Sequence, residues 1–264
     1  MADALFEPRD ASTFEPTDLA RGPWSPDALH GGPVAALLAR ALERLDAPGP
    51  MIPARLTVEL LRPVPLAPLR VTTEVFRPGK KIQLADAFLH AGATEVARAR
   101  LLRIRSAQVP LPATLDLPSK PPFALPAESA PIQPQWARDE ARDYHSYSTE
   151  HRAARGGWGT PGPIVDWIRM RYPVVAGEET SPFQRVAGVA DFGNGVSWVL
   201  PYGDYMFINA DLTIHLNRLP RGEWVCLDAV THPGAEGVGI AESALWDEGG
   251  RIGRSVQSLL LERR

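Results

Sequence analysis

The segment His30-Gly31-Gly32-Pro33 combines residue types that could bind a polarised oxygen atom at the start of a helix. Glycine has no Cβ, so a ligand can approach the backbone closely at Gly31 and Gly32. The first N–H groups of a helix lie at the positive end of its dipole and favour an oxygen that develops negative charge. We expect His30 to lie beside that oxygen as a neutral donor. A purely structural role is also compatible with the pattern: the glycines would shape a tight helix entry, and His30 would form structural hydrogen bonds.

The residues after this segment predict an amphipathic helix. Val34, Leu37, Leu38, Ala41 and Leu42 recur at the spacing of one helix face. Proline is favourable in the first turn because the N–H that it lacks would be unpaired there in any case. We therefore expect one apolar face of this helix to be buried.

Two halves of the sequence resemble each other. The pattern A-x-L-T-[VI]-x-L-x-R begins at Ala54 and again at Ala210, a separation of 156 residues. RPGKK matches HPGAE and EVARAR matches RIGRSV, in the same order, at separations of 155 and 156 residues. Three matches at nearly one separation indicate an internal duplication.

A proline-rich segment separates the halves, with eight prolines between Pro110 and Pro134. Proline lacks the N–H that a central strand or a helix interior needs, so this segment predicts an extended linker over residues 106–140. The predicted domains are therefore a first repeat over residues 1–105 and a second repeat over residues 141–264.

Each half also contains a series of predicted strands. ARLTVELL and LRVTTEVF in the first half, and ADLTIHLNR and WVCLDAVTH in the second, have the alternation of half-buried strands. Short turns such as DEGG connect such strands, which indicates antiparallel pairing. The predicted fold class is α+β, with an antiparallel sheet wrapped around one long helix in each repeat.

The composition is that of a globular protein and argues against several functions. The 264 residues are 44% hydrophobic and 22% charged, and the net charge is −3, so no basic field points to nucleic acid. The single cysteine, Cys226, permits no intramolecular disulfide and no cysteine cluster for a metal. The sequence shows no secretory signal and no apolar run of membrane-spanning length. We expect a cytoplasmic protein that needs no metal or other cofactor.

The arrangement resembles the hotdog fold, and the duplicated chain resembles the double-hotdog acyl-CoA thioesterases of type II. The motifs that carry the resemblance are HGGPVAALLARAL at the first helix, VELLRP and ADLTIHLNR in strands, and RSVQSLLL in the last strand. The resemblance implies hydrolysis of acyl-CoA to a free carboxylic acid and CoA. It also implies a homodimer or a higher homo-oligomer.

The resemblance further implies a catalytic set from the second repeat, consisting of an Asp, a Ser or Thr, and a Gln. The Asp falls on Asp211 and the Gln on Gln257, while the hydroxyl position falls on Thr231 or, one residue later, on His232. The carboxylate would accept the proton of an attacking water, and the other two groups would hold that water. Asp191, in VADFGNG, could lie in the second hotdog helix near the site, but it is interpreted as a surface or capping residue.

On the same interpretation, the acyl carbonyl binds the backbone N–H groups of Gly31 and Gly32, with His30 beside it. Trp24 is expected to line a tunnel for the acyl group. At the positions that match Asp211, His232 and Gln257, the first repeat has Arg55, Arg77 and Leu101. It thus lacks the groups that would activate water, and one catalytic centre per chain is expected.

Two other functions stay open. A catalytically silent acyl-CoA-binding or lipid-binding protein would keep the same fold. A hotdog enoyl-CoA hydratase would pair an Asp with a His around the α and β carbons of its substrate. Asp211 and His215 do not suit this pairing, because they lie four residues apart on one predicted strand.

Overall fold

The computed structural model describes residues 3–115, 120–133 and 142–264. Within these ranges the chain forms one large sheet and three α-helices. Their bounds in chain order are β1 (Phe6–Pro8), β2 (Thr13–Pro16), α1 (Gly31–Glu43), β3 (Met51–Leu60), β4 (Leu69–Pro78), β5 (Ile82–Ala91), β6 (Thr94–Arg105), β7 (Ala130–Ile132), β8 (Thr149–Arg155), β9 (Ile164–Met170), α2 (Pro182–Ala190), α3 (Gly193–Val196), β10 (Tyr205–Asn209), β11 (Asp211–Leu216), β12 (Trp224–Pro233), β13 (Val238–Asp247) and β14 (Gly250–Arg263).

The strand order across the sheet is β1-β2-β4-β5-β6-β3-β11-β14-β13-β12-β9-β8-β7, and β10 also pairs with β14. The strands predicted from alternation are confirmed: ARLTVELL lies in β3, LRVTTEVF in β4, ADLTIHLNR largely in β11 and WVCLDAVTH in β12. Their neighbours in the sheet are antiparallel, as the short turns predict.

The two halves of the sheet meet where β3 pairs with β11. Thr57 faces Thr213 in this pair, and the hydroxyl oxygens of the two threonines are 3.4 Å apart. Their residue numbers differ by 156, the separation of the repeated pattern. A pseudo-twofold axis therefore passes between Thr57 and Thr213, and the sheet continues across it without an edge.

An extra residue interrupts the alternation at the same place in each half. The register of β3 against β6 shifts between Pro53 and Arg55, around Ala54. In the second half Asn209 pairs with Leu259, but Thr213 pairs with Val256, so one residue between them is extra. A bulge of this kind reverses which side chains face inward, and it re-aims the residues next to it.

The helices differ between the halves more than the strands do. α1 is buried along most of its length and packs against α2 and the strands β3 to β6. The second half has the nine-residue α2 and the four-residue α3 in place of one long helix, and both follow the strands β8 and β9. The break falls in the sequence DFGNG, whose two glycines disfavour a continuous helix. No helix in the described ranges is long and apolar enough to cross a membrane.

α1 and α2 touch backbone to backbone at a pair of glycines. A Cβ on Gly32 would lie 2.3 Å from the carbonyl oxygen of Gly188 in α2 and 2.8 Å from the ring of Tyr144. The hydroxyl of Tyr144 donates to the same Gly188 oxygen at 3.1 Å. The close crossing therefore depends on the missing side chain of Gly32.

Part of the predicted linker packs on the sheet. Residues 116–119 and 134–141 lie outside the described ranges, but residues 120–133 include β7, which pairs with β8. Phe123 packs against Trp167 and Trp246, and the Nε1 of Trp167 donates to the carbonyl of Ala124 at 2.8 Å. This segment covers an apolar cluster on the second half of the sheet, and the domain boundaries themselves stay a prediction.

We predict that Gly32→Ala destabilises the fold. The new Cβ cannot be placed without separating α1 from α2, and overpacking of this kind costs about 1–3 kcal/mol, more than the helix propensity that alanine adds. Urea unfolding should show a lower midpoint with an unchanged slope. Gly203→Ala is the control, because no atom lies within 4 Å of its Cβ position. Equal stability of the two variants would contradict the tight crossing.

Candidate functional site

A cavity of about 380 Å³ lies where the start of α1, the end of β3, the end of α2 and the end of β10 come together. It is lined by residues of both halves of the chain. The apolar lining residues include Leu29, Val34, Leu60, Leu61, Val64, Phe192, Ile208 and Leu260, and the polar ones include His30, Arg62, His145, Asp191, Asn194 and Asn209. The exposed members of the lining are largely apolar and mark the mouth, whereas most of the polar members are buried.

Asp191 provides the carboxylate of this cavity. It follows α2 directly, where it is the C-cap residue, and its side chain is almost completely buried. Its Oδ1 accepts from Asn209 Nδ2 at 2.8 Å and from Gln257 Nε2 at 3.2 Å. Its Oδ2 lies 3.0 Å from Nδ1 of His30. Three nitrogen atoms therefore fix the carboxylate, each from a different element of the fold.

Gln257 holds Asp191 from inside the sheet. It is buried on β14, and its Nε2 also donates to the backbone carbonyl of Asp191 at 3.1 Å. Its Oε1 accepts from the backbone N–H of Asn194 at 2.9 Å. With both ends of the amide bonded, Gln257 locks the turn between α2 and α3 and orients the Asp191 side chain.

His30 faces two partners through one nitrogen. It caps α1, with Nδ1 3.0 Å from the backbone nitrogen of Gly32 and 3.0 Å from Asp191 Oδ2. Only one of these contacts can be a hydrogen bond at a time, because an Nδ1 that accepts from Gly32 carries no proton for Asp191. When Asp191 is ionised, the tautomer with a proton on Nδ1 is the one that stabilises the carboxylate.

Gly31 makes room for this carboxylate. A Cβ at Gly31 would lie 2.6 Å from Asp191 Oδ2, so Asp191 rests directly against the backbone at the start of α1. The N–H of His30 donates to the carbonyl of Ala20, and Pro33 has no N–H. The Gly31 N–H has no acceptor in the part of the chain that the structure describes, and Gly31 lines the cavity.

Asp211 does not reach the cavity. The bulge at Ala210 leaves Asn209 facing Asp191 and turns Asp211 to the opposite face from the buried Leu212. There the carboxylate accepts from the backbone N–H of Ser258 at 2.6 Å, a donor that the bulge leaves without a ladder partner. Asp211 therefore satisfies a backbone donor that the bulge leaves unpaired. Gln257, which is buried, lies on the opposite face of the sheet.

The two candidates for the hydroxyl position are also separate from Asp191. Thr231 is buried, and its Oγ1 is 2.8 Å from Oγ of Ser197; because Ser197 donates to Gly193 O, Thr231 is the donor of this pair. His232 is exposed and lies 3.7 Å from a carboxylate oxygen of Glu242. Neither side chain lines the cavity.

Trp24 lies at the mouth. It is 53% exposed, and its ring packs 5.7 Å from Tyr202 and 6.2 Å from Phe207, measured between ring centroids. Arg62 lies at the mouth as well and is the only arginine or lysine among the described residues that line the cavity. The cavity thus has an apolar rim that carries one positive charge.

Sequence reasoning gave Asp191 a surface or capping role and did not single out Asn209. The helix that ends in VADFGNG places an acidic residue at a helix end, which is equally typical of a cap. Asn209 directly precedes Ala210, the first residue of the ADLTIHLNR motif. Only the bulge makes its side chain face inward. The bulge leaves no local signal in the sequence of either half.

Comparisons with known proteins agree on one family. A model described as "Acyl-CoA thioesterase N-terminal domain" matches residues 20–104, and one described as "Acyl-CoA thioesterase C-terminal domain" matches residues 113–261. A search of curated proteins finds no match.

Solved structures share the fold at low identity. A protein of Thermobifida fusca assigned as a thioesterase II is 14% identical, with a TM-score of 0.74 over 98% of this chain and 96% of its own. A conserved protein with a hot dog fold from Alicyclobacillus acidocaldarius is 15% identical, with a TM-score of 0.70 over 99% and 97%. Acyl-CoA thioesterase II TesB2 of Mycobacterium marinum is 15% identical, with a TM-score of 0.65 over 98% and 95%. The sheet-dominated double repeat is thus a hotdog architecture, and with both family models matched along its length this chain belongs to the type II acyl-CoA thioesterase family.

Proposed function

We propose that the chain hydrolyses acyl-CoA thioesters with Asp191 as the general base. Membership of the family supports thioester hydrolysis in general. The observation that carries the residue assignment is a buried carboxylate, fixed by two amides and an imidazole, at the wall of the cavity beside the start of α1. This proposal moves the base from Asp211 to Asp191.

The three side chains match the chemistry that the family resemblance implies. Asp191 Oδ2 would accept the proton of a water that attacks the thioester carbonyl carbon. Asn209 and Gln257 donate to the carboxylate and restrict its orientation, so the water meets an acceptor of fixed direction. In this proposal Asn209 takes the role that the resemblance gives to the hydroxyl position, on Thr231 or His232. Its amide cannot act as a nucleophile, and the attacking group is water.

The start of α1 would stabilise the oxyanion. The Gly31 N–H has no protein acceptor in the described ranges whichever tautomer His30 adopts, and it lies against the same carboxylate-bearing wall. A thioester oxygen placed on this N–H would gain from the helix dipole as negative charge develops. Gly32 contributes through the crossing of α1 with α2, and its N–H is bonded to His30 only when Nδ1 carries no proton.

Arg62 is proposed to bind a phosphate of CoA. It lies at the mouth directly after β3, and no acidic partner reaches it in the described ranges. Lys80 and Lys81 are two other cationic residues of the first half, but they lie far from the mouth. They precede Ile82, which pairs with Ile104, and Ile104 also pairs with Ile52 at the beginning of β3. β3 has ten residues and spans roughly 30 Å, so of these three cationic side chains Arg62 is the one near the cavity.

A hydratase is a second candidate because the structure pairs an acid with an imidazole. Asp191 and His30 are 3.0 Å apart, unlike Asp211 and His215, and both line the cavity. Such a pair could add water across an enoyl thioester. Release of free thiol from acyl-CoA identifies the thioesterase, loss of the conjugated double bond of crotonyl-CoA identifies the hydratase, and binding with neither reaction identifies a silent binding protein.

The homo-oligomer and the cytoplasmic location are proposals as well. Val238, Leu260 and Ile208 lie side by side on adjacent strands and are all exposed, which leaves an apolar surface beside the mouth. A protein that forms a dimer would have such a surface to cover. A monomer by light scattering at micromolar concentration would contradict the proposal.

We predict that Asp191→Asn lowers kcat for acyl-CoA hydrolysis by about 10²-fold or more, the usual scale for loss of a positioned general base. The amide keeps the volume of the carboxylate but cannot take a proton from water. Thiol release measures the rate, and circular dichroism checks the fold.

Asp211→Asn is the matched control, since it makes the same chemical change on the outer face and keeps an oxygen for the Ser258 N–H. It should retain nearly full activity. A large loss in Asp211→Asn together with a small loss in Asp191→Asn would return the base to Asp211.

We predict that Arg62→Gln raises KM for acyl-CoA by roughly 5- to 10-fold, the range of one charge-assisted hydrogen bond at an exposed site. The corresponding N-acetylcysteamine thioester has no phosphate, so its KM should change much less. Lys81→Gln is the control for removal of a surface charge. Equal effects of Arg62→Gln on both substrates would show that Arg62 does not bind the phosphate.

A further inference from the structure

His30 has a second ring nitrogen that the proposed hydrolysis does not use. Its Nδ1 lies 3.0 Å from Asp191 Oδ2. Its Nε2 has no hydrogen-bond partner in the described part of the chain, and it is not one of the buried polar atoms there that lack both a partner and accessible surface. Nε2 therefore keeps accessible surface, and the cavity is the space that His30 lines. A group bound in the cavity can reach this nitrogen.

The contact with Asp191 decides whether Nε2 donates or accepts. A general base must be ionised, and a hydrogen bond from Nδ1 to a carboxylate is charge-assisted, which makes it about twice as strong as the alternative bond from the Gly32 N–H to Nδ1. The proton of the neutral imidazole therefore lies on Nδ1, which leaves Nε2 with a lone pair. A second proton, on Nε2, would find no acceptor in the described ranges. Nε2 is thus an open acceptor in the cavity, whereas the sequence alone predicts a donor role for His30.

Every CoA thioester carries a hydrogen-bond donor at a fixed place near its reacting carbon. The amide N–H of the cysteamine unit is four bonds from the carbonyl carbon, which corresponds to roughly 5 Å in an extended arm. Nε2 lies one imidazole ring beyond Nδ1, which places it about 5 Å from Asp191 Oδ2. The spacing of the two polar groups in the substrate therefore matches the spacing of the two acceptor atoms in the cavity wall.

We propose that His30 Nε2 accepts a hydrogen bond from this cysteamine N–H and so positions the thioester between the Asp191 carboxylate and the Gly31 N–H. The proposal rests on the proposed function in that it takes the occupant to be a CoA thioester and Asp191 to be ionised. A substrate arm without the N–H would expel water from the cavity and leave Nε2 unpaired. The other donors that could take this place are a hydroxyl on the acyl group and the attacking water.

The first test compares the butanoyl thioester of N-acetylcysteamine with that of 2-mercaptoethyl acetate, in which an ester oxygen replaces the N–H. Both carry the same acyl group and no phosphate, and their rates of alkaline hydrolysis correct for intrinsic reactivity. We expect kcat/KM of the wild type to favour the amide by about tenfold, the factor that one hydrogen bond to a buried acceptor corresponds to. A wild type without this preference would overturn the proposal and leave Nε2 to one of the other donors.

Two variants locate the preference in the chain. His30→Asn keeps a residue type that caps helices well, but its shorter side chain has no acceptor at the position of Nε2, so the preference for the amide should disappear. Gln257→Met is the matched control, because it also removes one N–H donor from Asp191 and is not among the described residues that line the cavity. It should slow both substrates alike and keep the preference. A preference that survives in His30→Asn would overturn the assignment to His30.

The ¹⁵N resonances of histidine test the proposal without turnover. The chain has six histidines, and the spectrum of His30→Asn identifies the signals of His30 by their absence. We expect a protonated Nδ1 and an unprotonated Nε2, and S-butyl-CoA, a thioether that cannot be hydrolysed, should move the Nε2 signal towards that of a hydrogen-bonded acceptor. This result in a protein that releases no thiol would support the proposal while the proposed function fails. A proton on Nε2 in the complex, or an Nε2 signal that S-butyl-CoA does not move, would overturn it.

Discussion

The site and the helix packing both depend on the absence of a Cβ at Gly31 and Gly32. Gly32 lets α1 cross α2 at contact between backbones, and Gly31 lets the Asp191 carboxylate lie against the first turn of α1. Because Asp191 directly follows α2, the same crossing that packs the helices also delivers the carboxylate to the helix start. The helix packing and the position of the carboxylate therefore depend on the same pair of residues. A change in the crossing of α1 and α2 would also shift Asp191.

The sheet was the part most accessible from the sequence. Alternation in ARLTVELL and ADLTIHLNR predicted β3 and most of β11, and the common separation of 156 residues anticipates the pairing of Thr57 with Thr213. These are signals of period and repetition, and strands buried on one face must show them. The division of the second helix into α2 and α3 was not anticipated. The two glycines of DFGNG disfavour a continuous helix, but the turn is also held by Gln257, which is far away in the sequence.

The site was less accessible, and the reason is one extra residue. Asp211 and Asn209 are two positions apart, so in a regular strand both would face the same side. The bulge at Ala210 separates them, sending Asn209 to Asp191 and Asp211 to the Ser258 N–H. Bulges depend on the whole ladder, not on local propensity, and a motif transferred along the strand cannot detect one. Proposing Asp191 in place of Asp211 as the general base thus required the register of β10 and β11 against β14.

The duplicated bulge explains why the two halves can share a fold and differ in chemistry. The first half has its irregularity at Ala54, so the inward position that Asn209 holds in the second half is held there by Pro53. Leu101 takes the place of Gln257 by the same separation. Both amides that hold the Asp191 carboxylate are therefore replaced by apolar groups. The first half instead supplies the start of α1, so each half contributes what the other lacks, and the cavity combines a helix dipole with a carboxylate.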